Sequence, residues 1–135
     1  MLRGRRLRKA RVVFAMKVND VVAKVCALVG SDYDVKKIYA FISELDTRAQ
    51  IDIFGQDPSQ INILSVESKD FQLALPTPYD MAYVYYAAAR INFEREEFEL
   101  YNNNYERAQE LYGAYARLYN RQGARMKRNF VKGLW

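Results

Sequence analysis

Histidine is absent and cysteine occurs once, at Cys26. The chain therefore lacks the side chains that most often move protons near neutral pH and hold zinc. A lone thiol closes no internal disulfide, which fits a reducing compartment. A reactive thiolate would need a cation beside it; no basic neighbour stands at a spacing that would supply one, so Cys26 reads as a small buried hydrophobe. The paired carboxylates Glu96 and Glu97 fall on a solvated helix surface. Glycine-rich phosphate loops, nucleophile elbows, HExxH and calcium loops are all missing. No catalytic residue, metal or cofactor is expected, and the chain does not read as an enzyme.

What remains is the chemistry of recognition, carried by charge and by tyrosine. The formal charge of +5 is unevenly placed. Residues 1–15 hold Arg3, Arg5, Arg6, Arg8, Lys9 and Arg11, residues 122–135 hold Arg125, Lys127, Arg128 and Lys132, and neither stretch has an acid. All sixteen acids thus lie in residues 16–121 against eleven bases, a formal −5. The body is acidic and both ends are basic.

The elements that must position these groups follow from periodicity. Residues 1–15 form a basic leader that fits a nucleic-acid arm, an organelle presequence or a start assigned too early; the abrupt change of composition at Met16 favours the last. From residue 16, a chain of this length has room for one domain with a modest core. No apolar run approaches the ~20 residues of a membrane span. A first helix is predicted from Asp20 to Val29, with Asn19 as N-cap, Gly30 as the stop, and Val21, Val22, Val25, Leu28 and Val29 on one face. A second runs from Val35 to Ile51 on Val35, Ile38, Phe41, Ile42, Leu45 and Ala49. After Gly55 and Pro58 the period changes, and the alternation from Ile61 to Leu75 predicts an extended arm or β-hairpin.

Thr77-Pro78-Tyr79-Asp80 is a helix start, with Thr77 as cap, Pro78 at the first helical position and Asp80 near the dipole. Met81, Val84, Tyr85, Ala88 and Ile91 face inward, and Ala87, Ala88 and Ala89 keep one section thin. Between Phe93 and Glu97 there is neither glycine nor proline, and propensity alone would allow one helix of about forty residues. An antiparallel pair turning there is preferred, because only folding back buries both apolar faces. In the last helix, Phe98, Tyr101, Tyr105, Ala108, Tyr112, Tyr115 and Tyr119 recur in steps of three and four. Such a row suits either the edge of the chain's own core or a surface that meets another protein. Gly123 is expected to stop that helix, leaving residues 122–135 as a basic tail interleaved with Met126, Phe130, Val131, Leu134 and Trp135. The fold class is mainly α: a bundle of about four helices in residues 16–121, with an extended or hairpin arm between the second and third and a basic C-terminal tail.

The order of these parts resembles the head–tail connector (adaptor) proteins of tailed bacteriophages. The resemblance covers roughly Lys17 to Arg121 and rests on VNDVVAKVCALVG, AFISELDTRAQ, the start LPTPYDMAYVYYAAARI and the last helix ELYNNNYERAQELYGAYARLYNR. The leader lies outside the pattern, and the turn near Glu96 lacks the small residue the family would have. The family implies a helical virion subunit at the head–tail junction, present in the host cytoplasm during assembly. Such subunits form a ring, commonly of twelve copies, beneath the portal. The ring extends the DNA channel and offers a platform to the next connector or tail protein. An acidic body would line such a channel without gripping the genome.

Two surfaces are assigned on that basis. The tail would reach the portal, with Arg125, Lys127 and Arg128 meeting acidic groups and Phe130, Leu134 and Trp135 filling apolar pockets. Ring contacts would use Ile61, Ile63, Phe71 and Leu73 of the arm, with Tyr101, Tyr105 and Tyr112 of the last helix. Two other classes fit parts of the sequence. One is a small nucleic-acid-binding protein using its basic ends. The other is a helical interaction scaffold, which the absence of a ~34-residue repeat disfavours.

Overall fold

The computed structural model describes residues 15–61 and 63–133, with residues 125–133 as backbone alone. Four α-helices occur among the described residues: α1 Val18–Val29, α2 Val35–Asp52, α3 Met81–Glu94 and α4 Phe98–Gly133. α3 is the hub, with α1, α2 and α4 all packed on it. Its sequence explains why. Ala87, Ala88 and Ala89 are fully buried, so backbones approach closely there, while Tyr83, Val84, Tyr86 and Ile91 fill the wider gaps. A helix buried on nearly every side has no need of a polar face. From α1 and α2, Val18, Val21, Val25, Ile38, Ile42 and Ala49 complete the core.

α1 begins at Val18, two residues before the expected Asp20, and Asn19 is not its cap. The free N–H groups of Val18 and Asn19 donate instead to the carbonyls of Phe71 (3.0 Å) and Lys69 (2.9 Å). Backbone from a distant segment does the work of a capping side chain. Gly30 ends α1 as expected, at φ 100°, where a side chain would be strained. Leu28, expected on the inward face, is 55% exposed. Cys26 is half-buried against the core.

The segment between α2 and α3 is not a hairpin. Among the described residues there is no strand, only one antiparallel bridge between Lys17 and Gln72 and two short 3₁₀ turns, Pro58–Gln60 and Val66–Ser68. Of the alternating apolar residues only Leu73 and Leu75 are buried, joined by Leu64 from outside the pattern, while Ile63, Val66 and Phe71 are exposed. The backbone donors of the segment find single partners elsewhere instead of a second strand. Leu64 N–H donates to Ser43 Oγ (3.0 Å), Ala74 N–H to Asp46 Oδ1 (2.9 Å) and Leu75 N–H to the Tyr83 hydroxyl (3.0 Å). Leu73 N–H donates to the Met16 carbonyl at 3.2 Å. The result is a strap bound across α1, α2 and α3.

Thr77 to Asp80 forms a turn, and α3 starts only at Met81. Thr77 does not cap the helix; its hydroxyl donates to Asp80 Oδ2 at 2.7 Å. Asp80 also accepts the Met16 N–H at 2.9 Å and is 1% exposed. Asp80 stands at the start of α3 as expected, at the N-cap position, but its carboxylate makes no capping bond and instead joins the strap's end to the chain ahead of α1.

The reversal between α3 and α4 falls at Arg95 to Glu97, inside the predicted Phe93–Glu97 window. Glu96 holds φ 62°, and Glu96 and Glu97 N–H donate to the carbonyls of Phe93 (3.0 Å) and Asn92 (2.9 Å). This is a Schellman ending with glutamate where glycine is usual. Asn92 compensates: its Nδ2 donates to Glu97 Oε1 (2.9 Å) and its Oδ1 accepts Asn104 Nδ2 (2.8 Å). From there α4 runs antiparallel to α3, with Asn104 against Asn92, Arg107 over Tyr85 and Tyr115 against Tyr79. Gly123 does not stop it. The helix continues to Gly133, so the backbone marks no separate tail at residue 122.

Candidate assembly surfaces

The tyrosine row is mostly spent on the chain itself. Tyr115 meets Tyr79 (5.2 Å between ring centroids) and Phe54 (6.1 Å), and Tyr119 meets Phe54 edge-on at 4.9 Å. Tyr101 packs between Phe93 and Tyr105 at 5.2 and 5.6 Å. These separations are those of favourable aromatic pairs. Tyr101, Tyr105 and Tyr112, assigned to a ring interface, are half-buried here. Tyr112 differs from the others, because its hydroxyl is buried and has no hydrogen-bond partner among the described residues. Burial pushes its ionisation up, Asp52 adds to the shift and Arg48 opposes it. Tyr105 and Tyr112 border a cleft of 240 Å³ between α2 and α4, with Arg48 and Tyr86 opposite.

The strap supplies a second surface. A groove of 740 Å³ opens between it and α2, walled by Tyr39, Ala40, Ser43, Ile63, Leu64 and Val66. Ile63 is 74% exposed and Phe71 47%, so both keep the accessibility that a neighbour would need. Ile61 is half-buried. Leu73, assigned to the same interface, is 4% exposed and belongs to the core, which corrects that assignment. The α2 wall was not legible, because Tyr39 and Ser43 flank the inward stripe and only the strap's path makes them one side of a groove.

A third surface is the end of the bundle where the α1–α2 and α3–α4 turns meet. Arg95 joins them, reaching the Val29 carbonyl at 2.9 Å and Asp32 at 3.6 Å. Glu94 joins them again, accepting from the Tyr33 hydroxyl and pairing with Lys37 at 3.6 Å. Burial, then the bond to Glu94, raises the Tyr33 ionisation well above its usual range, so this phenol remains a donor. Leu28, Phe93, Phe98 and Leu100 each leave half or more of their surface exposed at this end. No periodicity signalled this cluster, since it assembles from the margins of three helices.

At the opposite end α4 outruns the bundle. Among the described residues Tyr119 makes its last aromatic contact, and Asn120 to Ala124 are all exposed. Five successive residues span the full circumference of a helix, so at that point nothing packs on any side. A side chain at Gly123 would meet nothing within 4 Å. Arg125, Lys127, Arg128 and Phe130 lie on this projecting part, while Leu134 and Trp135 are outside the described residues. The structure thus carries part of the assigned partner set away from the body on a helix.

Among the described residues no three of histidine, cysteine, aspartate and glutamate stand where they could share a metal ion. Within the same residues no helix is long and apolar enough to cross a membrane. Comparison of the chain with protein-family models, curated proteins and solved structures found no match.

Proposed function

We propose that this chain is a structural assembly subunit of the head–tail connector type, forming a ring beneath a phage portal and continuing its DNA channel. The observation that carries the reading is α4. Its 36 residues extend about 54 Å at a rise of ~1.5 Å each, longer than the bundle needs. The part that leaves the bundle is basic and acid-free and includes Met126, Phe130 and Val131. A projecting helix of this composition suits a partner with acidic groups and apolar pockets. The resemblance of residues 17–121 to connector proteins supplies the kind of assembly. The acidic body supports the same reading, because a channel wall of like charge lets DNA pass unbound.

The test is co-sedimentation of the full chain with rings of a phage portal protein. Stoichiometric binding is expected, and its loss on deleting residues 122–135 would place α4's projecting end in the assembled contact. Undiminished binding by the deletion variant removes α4's projecting end from the contact. The absence of any binding contradicts the connector reading.

A further inference from the structure

α4 carries opposite charge at its two ends. The acidic end begins just before it, where Glu94, Glu96, Glu97 and Glu99 face a single base, Arg95, in sequence. From Leu111 onward there are six bases and no acid. Complementing the helix dipole does not require this, since that effect fades within the first and last turn. Apolar residues accompany both charges. Phe93, Phe98 and Leu100 lie exposed at the acidic end, with Phe93 and Phe98 in edge-on contact. At the other end, Arg121, Arg125, Arg128 and Lys132 recur in steps of four, three and four, one stripe of a helix. Met126 and Phe130 occupy a different stripe.

We infer that the projecting end of α4 in one copy docks on the acidic apolar end of the bundle in a second copy. This rests on the assembly reading and names its subunit contact. The two surfaces match in charge and in apolar content, and they cannot meet within one chain. A continuous helix about 54 Å long holds them apart. Contact between two different surfaces is heterologous, so it closes into a ring when the rotation between copies allows and otherwise leaves an open filament. The sequence reading sent this end of α4 to the portal; the bundle itself presents a receptor of matching chemistry.

Sedimentation velocity of the full chain, at low and high salt, tests the contact. Self-association that weakens with salt is expected, as for opposed charged surfaces. The double variant Glu96→Lys with Glu99→Lys should weaken it about tenfold, as should the triple variant Arg125→Glu, Arg128→Glu, Lys132→Glu. Glu96 and Glu99 make no side-chain bond among the described residues, and helical circular dichroism checks that each variant is folded. Mixing the two variants restores complementary surfaces and should restore association. A wild-type chain that stays monomeric at every salt concentration overturns the inference, as does a mixture that fails to recover. If the wild-type chain stays monomeric yet binds portal rings, and the triple variant does not, the end of α4 belongs to the portal. The subunit contact then fails while the connector reading stands.

Discussion

Tyr83 meets two demands with one oxygen: its hydroxyl donates to Asp46 Oδ1 at 2.6 Å and accepts the Leu75 N–H at 3.0 Å. Tyr83→Phe leaves both partners buried and short of a bond, so a loss of ~1–3 kcal/mol is expected in urea denaturation. Burial first, then Asp46, raises the Tyr83 ionisation well above its usual 10.0. Because the folded value is the higher one, the neutral phenol contributes fully below about pH 10 and less as the pH climbs, since the unfolded chain ionises first. The wild-type chain should therefore lose stability above about pH 10, and the Phe variant should lose less over the same range. Tyr112 makes the opposite case. Its hydroxyl has no partner among the described residues, so Tyr112→Phe should leave the melting temperature unchanged or raise stability by up to ~1 kcal/mol; a clear drop would mean the hydroxyl is bonded. The spacing of the tyrosines made their helix face legible. Asp46 and Asn92 were not, because a polar residue on a helix looks solvated until its partners from distant segments are known.

At the scale of elements, α2, α3 and α4 were largely readable, since their cores follow from spacing and the reversal follows from the need to bury two faces. The strap was misread because alternation assumes a paired strand with one buried face, whereas here single hydrogen bonds to Ser43, Asp46, Tyr83 and Met16 fix the backbone and leave Ile63, Val66 and Phe71 exposed. Gly123 was misread for a related reason. In an exposed helix glycine costs only ~1 kcal/mol relative to alanine, and good helix formers such as Arg121, Gln122, Ala124 and Arg125 flank it. The Arg95–Glu97 turn offers a test. Glu96 is held at φ 62°, a conformation that costs a residue with a side chain ~1 kcal/mol or more. Glu96→Gly relieves that strain, and a gain of ~1 kcal/mol in thermal or chemical denaturation is expected. A loss would show that the Glu96 side chain makes a contact worth more than the strain.

Over the whole molecule, the work divides between a body and a projection. Among the described residues, the buried core residue furthest along the chain is Ala108, and the aromatic contacts end at Tyr119. A chain ending at Asn120 should therefore unfold cooperatively, with a midpoint within a few degrees of the full chain, while losing its association with partners. Circular dichroism melts alongside sedimentation separate the two effects. The basic ends and acidic body were legible from charge alone. That one continuous helix joins an acidic apolar surface to a basic one was not, because the sequence contains a glycine where the helix passes through. The central claim is that this division serves ring assembly on a portal. Electron microscopy of the full chain mixed with a phage portal protein tests it most directly. The account predicts rings with an open central channel stacked beneath the portal. Bare portal rings, together with DNA binding by the chain that falls steeply with salt, would contradict it.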